Sequence, residues 1–145
     1  MKMKIKKMKP NAILPTLGTE GAAAYDLYAC IDEPVTIEPG KNAMIGTGLA
    51  MQIPFGMVGL MCPRSGLACK RGLRLSNNPS IIDSDYRGEI FISIYNDSEF
   101  LQVIQPKDRI AQIMFTKYFL YDWDEVDELD ETGRGERGFG STGTN

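Results

Sequence analysis

The chain has 145 residues, of which 43% are hydrophobic and none is histidine, and its formal net charge is -3 at pH 7. That length fits one domain able to bury roughly 68 to 70% of its unfolded surface, and so mild a charge argues against a duplex nucleic-acid binder, which carries a concentrated basic patch. Without imidazole, Ser-His-Asp and Cys-His machinery and histidine-bound zinc or iron are excluded; acid-base work falls to carboxylates, and the metal that suits carboxylates and phosphates is Mg2+.

The two ends carry opposite charge. Five lysines lie within the first nine residues, and seven of the nineteen acids lie between Asp122 and Glu131. Three cysteines, Cys30, Cys62 and Cys69, make an odd number without a CxxC spacing, which fits reduced thiols. The opening MKMKIKKMK has no apolar core of signal-peptide length, and no run approaches 18 apolar residues, so the sequence predicts a cytoplasmic protein, or one inside a host cell if viral, with no membrane partner.

In chain order, Lys2 to Lys9 alternates lysine with Met3 and Ile5 and reads as a short edge strand whose lysines discourage further pairing. After a turn-rich stretch comes AAAYDLYA, a strand with Tyr25 and Leu27 on one face and Asp26 on the other. Val35 to Ile37, Ala43 to Ile53 and Met57 to Met61 are further short apolar runs, the last two separated by Pro54-Phe55-Gly56. One short helix is predicted from Ser65 to about Lys70, with Ser65 as its cap, basic residues at its negative end and Gly72 as its stop. Its start beside Arg64 is either an anion site or an ordinary helix entry.

Asn77 to Tyr95 reads as a hairpin-like finger. Ile81 and Ile82 lead into Asp83, Ser84 and Asp85 are turn residues, and Ile90, Ile92 and Ile94 then alternate with Phe91, Ser93 and Tyr95. A carboxylate at the end of an apolar pair is expected to be partly desolvated and so a better proton acceptor; alternatively Asp83 caps the turn through an Asx bond. Phe100 to Ile104 and Arg109 to Lys117 are the last two predicted strands. Turn signals every 8 to 12 residues or so, and no sustained helical period, point to an all-β sandwich or closed barrel.

Beyond Phe119 the acidic stretch YDWDEVDELDE fails the calcium-loop pattern, because Val126 and Asp127 stand where an acid or amide and then glycine are required, so it reads as a solvated linker. TGRGERGFGSTGTN follows, with five glycines but no Walker lysine; by composition it is a flexible tail.

The order and content of five stretches resemble the trimeric deoxyuridine triphosphatases, the dUTPases. They are Ala24-Tyr25-Asp26-Leu27, Pro63-Arg64-Ser65-Gly66-Leu67-Ala68, Ile82-Asp83-Ser84-Asp85-Tyr86-Arg87-Gly88, Asp108-Arg109-Ile110-Ala111-Gln112, and Arg134-Gly135 with Gly138-Phe139-Gly140-Ser141-Thr142-Gly143. The resemblance implies a jelly-roll-like β-barrel or sandwich with one short helix over residues 1–120, an acidic linker at 121–132 and a glycine-rich arm at 133–145. It further implies a homotrimer with shared sites that cleaves dUTP to dUMP and pyrophosphate, supplying dUMP for thymidylate synthesis and limiting uracil in DNA.

By the same resemblance Asp83 activates the attacking water and Asp26 holds waters of the Mg2+ carried by the triphosphate. Arg64, Ser65 and Gly66 grip the phosphates, and Gln112 adds a neutral contact. Uracil is read around Asn77, Ile81, Ile82 and Phe91, and Tyr86 presses on the deoxyribose. Phe139, with Gly140 and Ser141 beside it, stacks on the base, while Arg134 meets the terminal phosphate. Ser80, Lys107 and Arg137 depart from the usual pattern: the first two stand where glycine is customary and Arg137 replaces a frequent glycine in the tail, and at Ser80 above all this bears on close approach or positive φ. Two alternatives are weighed. A dCTP deaminase expects a glutamate after the Ser-Arg pair, where this chain has Pro63-Arg64-Ser65-Gly66, and a nucleotide-gated regulatory module would keep the site without using it.

Overall fold

The computed structural model describes residues 2–138, in which twelve strands and one helix follow one another. Their apolar alternation is what closes them around a common interior. β1 (Lys4–Lys7) pairs antiparallel with β6 (Leu49–Gln52), and β11 (Gln102–Ile104) with β4 (Val35–Ile37). In a three-stranded sheet, β10 (Phe91–Asn96) lies between β5 (Asn42–Gly46) and β8 (Leu73–Leu75). The largest sheet runs β2 (Thr16–Leu17), β3 (Tyr25–Tyr28), β12 (Arg109–Lys117), β7 (Met57–Cys62), β9 (Ser80–Ile82). The result is a jelly-roll-like barrel of short strands with α1 (Ser65–Arg71) outside it.

Alternation decides which side chains enter the core. On β10, Ile92 and Ile94 are buried while Phe91 is exposed, and Leu27, Ile45, Ile104, Ala111 and Ile113 reach the same interior from other strands. Each fully buried aliphatic side chain contributes about 1.5 to 3 kcal/mol relative to exposure. Asn96, the last residue of β10, is buried with its amide satisfied: Nδ2 donates to the carbonyls of Ile37 and Phe100 at 2.8 and 2.7 Å, and Oδ1 accepts from Ser98 N and Oγ at 3.0 and 2.7 Å.

Of the described residues with positive φ, five are glycines and one is a lysine, and two of the six bear on the sequence reading. Gly72 ends α1 at φ 64, as its sequence predicts. Lys107 adopts φ 68 in the turn before β12. The customary glycine at position 107 is therefore replaced at the cost of a strained backbone, whereas Ser80 has no positive φ and sits buried, its Oγ accepting from Asn77 Nδ2 at 3.1 Å.

Three expectations need correction. α1 is entered through Arg64 in extended conformation with no side-chain cap, so Ser65 is its first helical residue rather than its cap. The Asn77 to Tyr95 stretch is not a hairpin: β9 pairs with β7, Ile82 opposite Gly59, while β10 pairs with β5 and β8. Asp83 is exposed rather than partly desolvated. Beyond β12, Phe119, Tyr121 and Trp123 are exposed, the last at 96%, and no helix among the described residues is long and apolar enough to cross a membrane.

Candidate active site

Strand alternation turns Asp26 away from Tyr25 and Leu27 and onto the outer face of β3, opposite Gln112 of β12. There a cleft of about 210 Å3 is lined by Asp26, Arg64, Ser65, Gly66, Arg109 and Gln112, with Gly18, Ala22 and Ala24 completing the wall. Asp26 is buried, and its two oxygens are held separately: Arg64 Nε donates to Oδ1 at 2.7 Å and Arg109 Nη1 to Oδ2 at 3.2 Å. Arg64 Nη1 also donates to the Arg109 carbonyl at 3.3 Å. Backbone bonds to the Arg64 carbonyl begin with the amides of Leu67 and Ala68, so the Ser65 and Gly66 amides precede the helical ladder beside the cleft. Gln112 Nε2 donates to the Pro63 carbonyl at 3.0 Å, leaving its second N–H as a neutral donor.

The resemblance assigns Arg109 no role, yet a backbone irregularity carries it into the cleft. Simple alternation along β12 would send Arg109 to the side opposite Gln112. Between them the register slips: Ala111 opposes Leu27 but Arg109 opposes Tyr28, so Ile110 is an inserted residue. The bulge reverses the alternation and puts Arg109 on the face of Tyr28, Asp26 and Gln112.

The remaining predicted residues lie elsewhere on the chain. Asn77, Ile81, Ile82, Asp83, Tyr86 and Phe91 do not line this cleft. Ile81 opposes Leu60 and Ile82 opposes Gly59, whereas Gln112 opposes Cys62. Gly59 to Cys62 spans about 10 Å of strand, with Asp83 beyond one end and Arg64 beyond the other. The Asp83 turn closes through backbone, Tyr86 N–H to the Asp83 carbonyl at 3.3 Å, so an Asx bond is not what holds it. Tyr86 is half exposed and its Oη donates to the Glu89 carbonyl at 2.9 Å. β9 is an edge of the five-stranded sheet, so one row of its backbone donors and acceptors has no strand partner.

Arg134 lies in a local turn, donating through Nε to the Arg137 carbonyl at 2.9 Å, while Arg137 Nε returns a bond to the Arg134 carbonyl. Phe139, Gly140 and Ser141 are outside the described residues. A larger apolar groove of about 360 Å3, lined by Met3, Ile5, Tyr25, Met57 and Phe115 among others, contains none of the predicted site residues.

A single buried carboxylate does not make a metal cage, and no group of three or more His, Cys, Asp or Glu among the described residues could hold an ion. This donor set fits a Mg2+ that arrives on phosphate oxygens, keeps most of its waters and meets one protein carboxylate.

The barrel and its arginine-lined cleft define an all-β protein equipped to hold an anion. Residues 10–143 match the family model described as dUTPase. A deoxyuridine 5'-triphosphate nucleotidohydrolase of Orientia tsutsugamushi (strain Ikeda) is 44% identical over 146 residues, covering 99% of each chain. One from Desulfitobacterium hafniense (strain DSM 10664 / DCB-2) is 50% identical over 131 residues, covering 90% of this chain and 87% of the relative. Among solved structures, the Staphylococcus bacteriophage 80alpha dUTPase with dUPNHPP superposes with a TM-score of 0.84 at 28% identity, covering 98% of both chains. A dUTPase from phage phi11 of S. aureus, described with a structural Mg(II) ion, gives a TM-score of 0.78 at 25% identity, covering 89% of this chain and 99% of its own. The chain belongs to the dUTPase family.

Proposed function

We propose that the protein hydrolyses dUTP to dUMP and pyrophosphate by water attack on the α-phosphorus, in a homotrimer whose sites combine residues of different subunits. The observation that carries this reading is the separation within one chain of a cationic cleft, fit for the triphosphate, from the exposed Asp83 turn, fit for the nucleoside and the water. A second copy supplies what each half lacks.

Arg64, the Ser65 and Gly66 amides and the second Gln112 N–H grip the phosphates. Ser65 faces the bridging oxygen and stabilises the charge that grows there as the bond to the α-phosphorus breaks. Asp83 takes the proton of the attacking water. Asp26 would hold waters of a Mg2+ carried by the triphosphate, and that ion would supply neutralisation of the phosphate charge. The unpartnered edge of β9 around Ile81 and Ile82 supports recognition of uracil by main-chain groups, with Asn77 and Phe91 beside it and Tyr86 against C2′ of the sugar. Arg134 and Phe139, followed by Gly140 and Ser141, close over the terminal phosphate and the base. The product serves thymidylate synthesis in the cytoplasm and the reaction keeps uracil out of DNA.

Pyrophosphate release from dUTP, dTTP, dCTP and UTP in Mg2+ tests the reading. Release from dUTP alone is expected; none from dUTP overturns it.

A further inference from the structure

We propose that Arg109 is a positioning residue that keeps Asp26 in place for the metal when Arg64 leaves it for the substrate; the inference rests on the dUTP-hydrolysing reading above. Asp26 has a side chain only 10% exposed and two cationic partners. A carboxylate so buried is poorly compensated if left alone, so a second arginine matters at the moment the first departs.

The two arginines are anchored differently. Arg64 belongs to the extended entry to α1 and stands next to the Ser65 and Gly66 amides, so a triphosphate reaching those amides also reaches its guanidinium. Its fork now holds Oδ1 of Asp26 and the Arg109 carbonyl, both of which it must release to embrace phosphate oxygens. Arg109 is the first residue of β12, aimed by the bulge at Ile110, and its bond to Oδ2 shares no atom with the contacts that Arg64 makes. Departure of Arg64 thus frees Oδ1, while Oδ2 stays fixed. The freed oxygen is the one that accepts from a metal-bound water, and Arg109 sets its direction.

The test separates metal from nucleotide. Mn2+ is titrated by electron paramagnetic resonance into the full-length protein saturated with a non-hydrolysable dUTP analogue. Analogue affinity is measured separately in EDTA. Arg109→Met is expected to weaken Mn2+ binding by about tenfold or more, the loss usual when a partner orienting a metal-facing ligand is removed. Its analogue affinity in EDTA stays within about twofold of the wild type, whereas Arg64→Met loses about tenfold there, the scale of one charge-assisted bond. Arg109→Lys, which keeps a charge but not the fork, restores part of the Mn2+ affinity and serves in place of Arg109→Met if that variant does not fold. Equal loss of analogue affinity in EDTA for Arg109→Met and Arg64→Met overturns the proposal in favour of a direct phosphate contact. Unchanged Mn2+ affinity overturns it in favour of an inert ion pair. A wild-type chain that binds no analogue overturns the dUTP reading itself, an outcome distinct from both.

Discussion

The ring of Tyr86 occupies the space that a side chain on Gly88 would fill: a Cβ there would lie 2.5 Å from Tyr86 Oη and 2.7 Å from Cζ. The ring is also tied by its hydroxyl to the Glu89 carbonyl. Gly88 therefore sets where the phenol stands. If that ring excludes a 2′-hydroxyl, Gly88→Ala, which must push it aside, narrows the ratio of dUTP to UTP turnover without touching the sugar itself. Tyr86→Ala narrows it further. Steady-state rates on both nucleotides check this, and an unchanged ratio in both variants places sugar selection elsewhere.

Asp83→Asn keeps the shape of the turn, whose closing bond is backbone, but removes the proton acceptor. Turnover falls by roughly 10² to 10⁴ while the nucleotide still binds. Asp85→Asn, one of the turn's own residues, is the mild control. If Asp83 and Arg64 serve from different copies, as proposed, mixing Asp83→Asn with Arg64→Met chains under exchange conditions rebuilds about a quarter of the sites with both residues intact. Activity returning on mixing, from two variants that are nearly inactive alone, is the expected result; no return means that one chain supplies both.

Ending the chain after Thr132 leaves the barrel intact, since the last strand stops at Lys117. Fixing a glycine-rich segment costs about 1 to 2 kcal/mol per residue. A stacking contact from Phe139 would contribute about 1 to 3 kcal/mol and a phosphate contact from Arg134 about 1.5 to 3 kcal/mol. Those two contacts do not outweigh the cost of ordering the whole segment, so closure adds little to ground-state affinity: binding of a non-hydrolysable analogue drops modestly while most turnover disappears, because closure excludes water and fixes the triphosphate. Retained turnover means that the arm takes no part.

Asn96→Ala strips four hydrogen bonds from a buried site and leaves the Ile37 and Phe100 carbonyls without their donor. A loss of about 2 to 4 kcal/mol is expected. Urea unfolding at a fixed protein concentration measures it, and a change below about 0.5 kcal/mol, as at an ordinary surface position, contradicts the account.

The strands were legible wherever period-two burial dominates, as at Ile90, Ile92 and Ile94, and Gly72 marked the end of α1 correctly. What a strand pairs with was not. The local rhythm of Ile81-Ile82, turn, Ile90 to Ile94 suggested a hairpin, yet β9 found its partner in β7, because pairing is decided by long-range burial that no local signal encodes. The cleft residues Asp26, Arg64 and Gln112 could be named through motif resemblance. Arg109 could not be oriented, since alternation from Gln112 sends it inward and the bulge that reverses this lies in the backbone pairing with β3. Lys107 hid a left-handed turn for the same kind of reason, since nothing in a lysine announces positive φ.

The chain's one tryptophan, Trp123, stands almost fully in water beyond the last strand of the barrel. Its fluorescence is therefore an optical probe of that segment and barely senses the interior. Urea that melts the barrel changes it little, whereas anything that brings the segment down onto protein shifts emission to shorter wavelength, giving a label-free signal for events at this end of the chain.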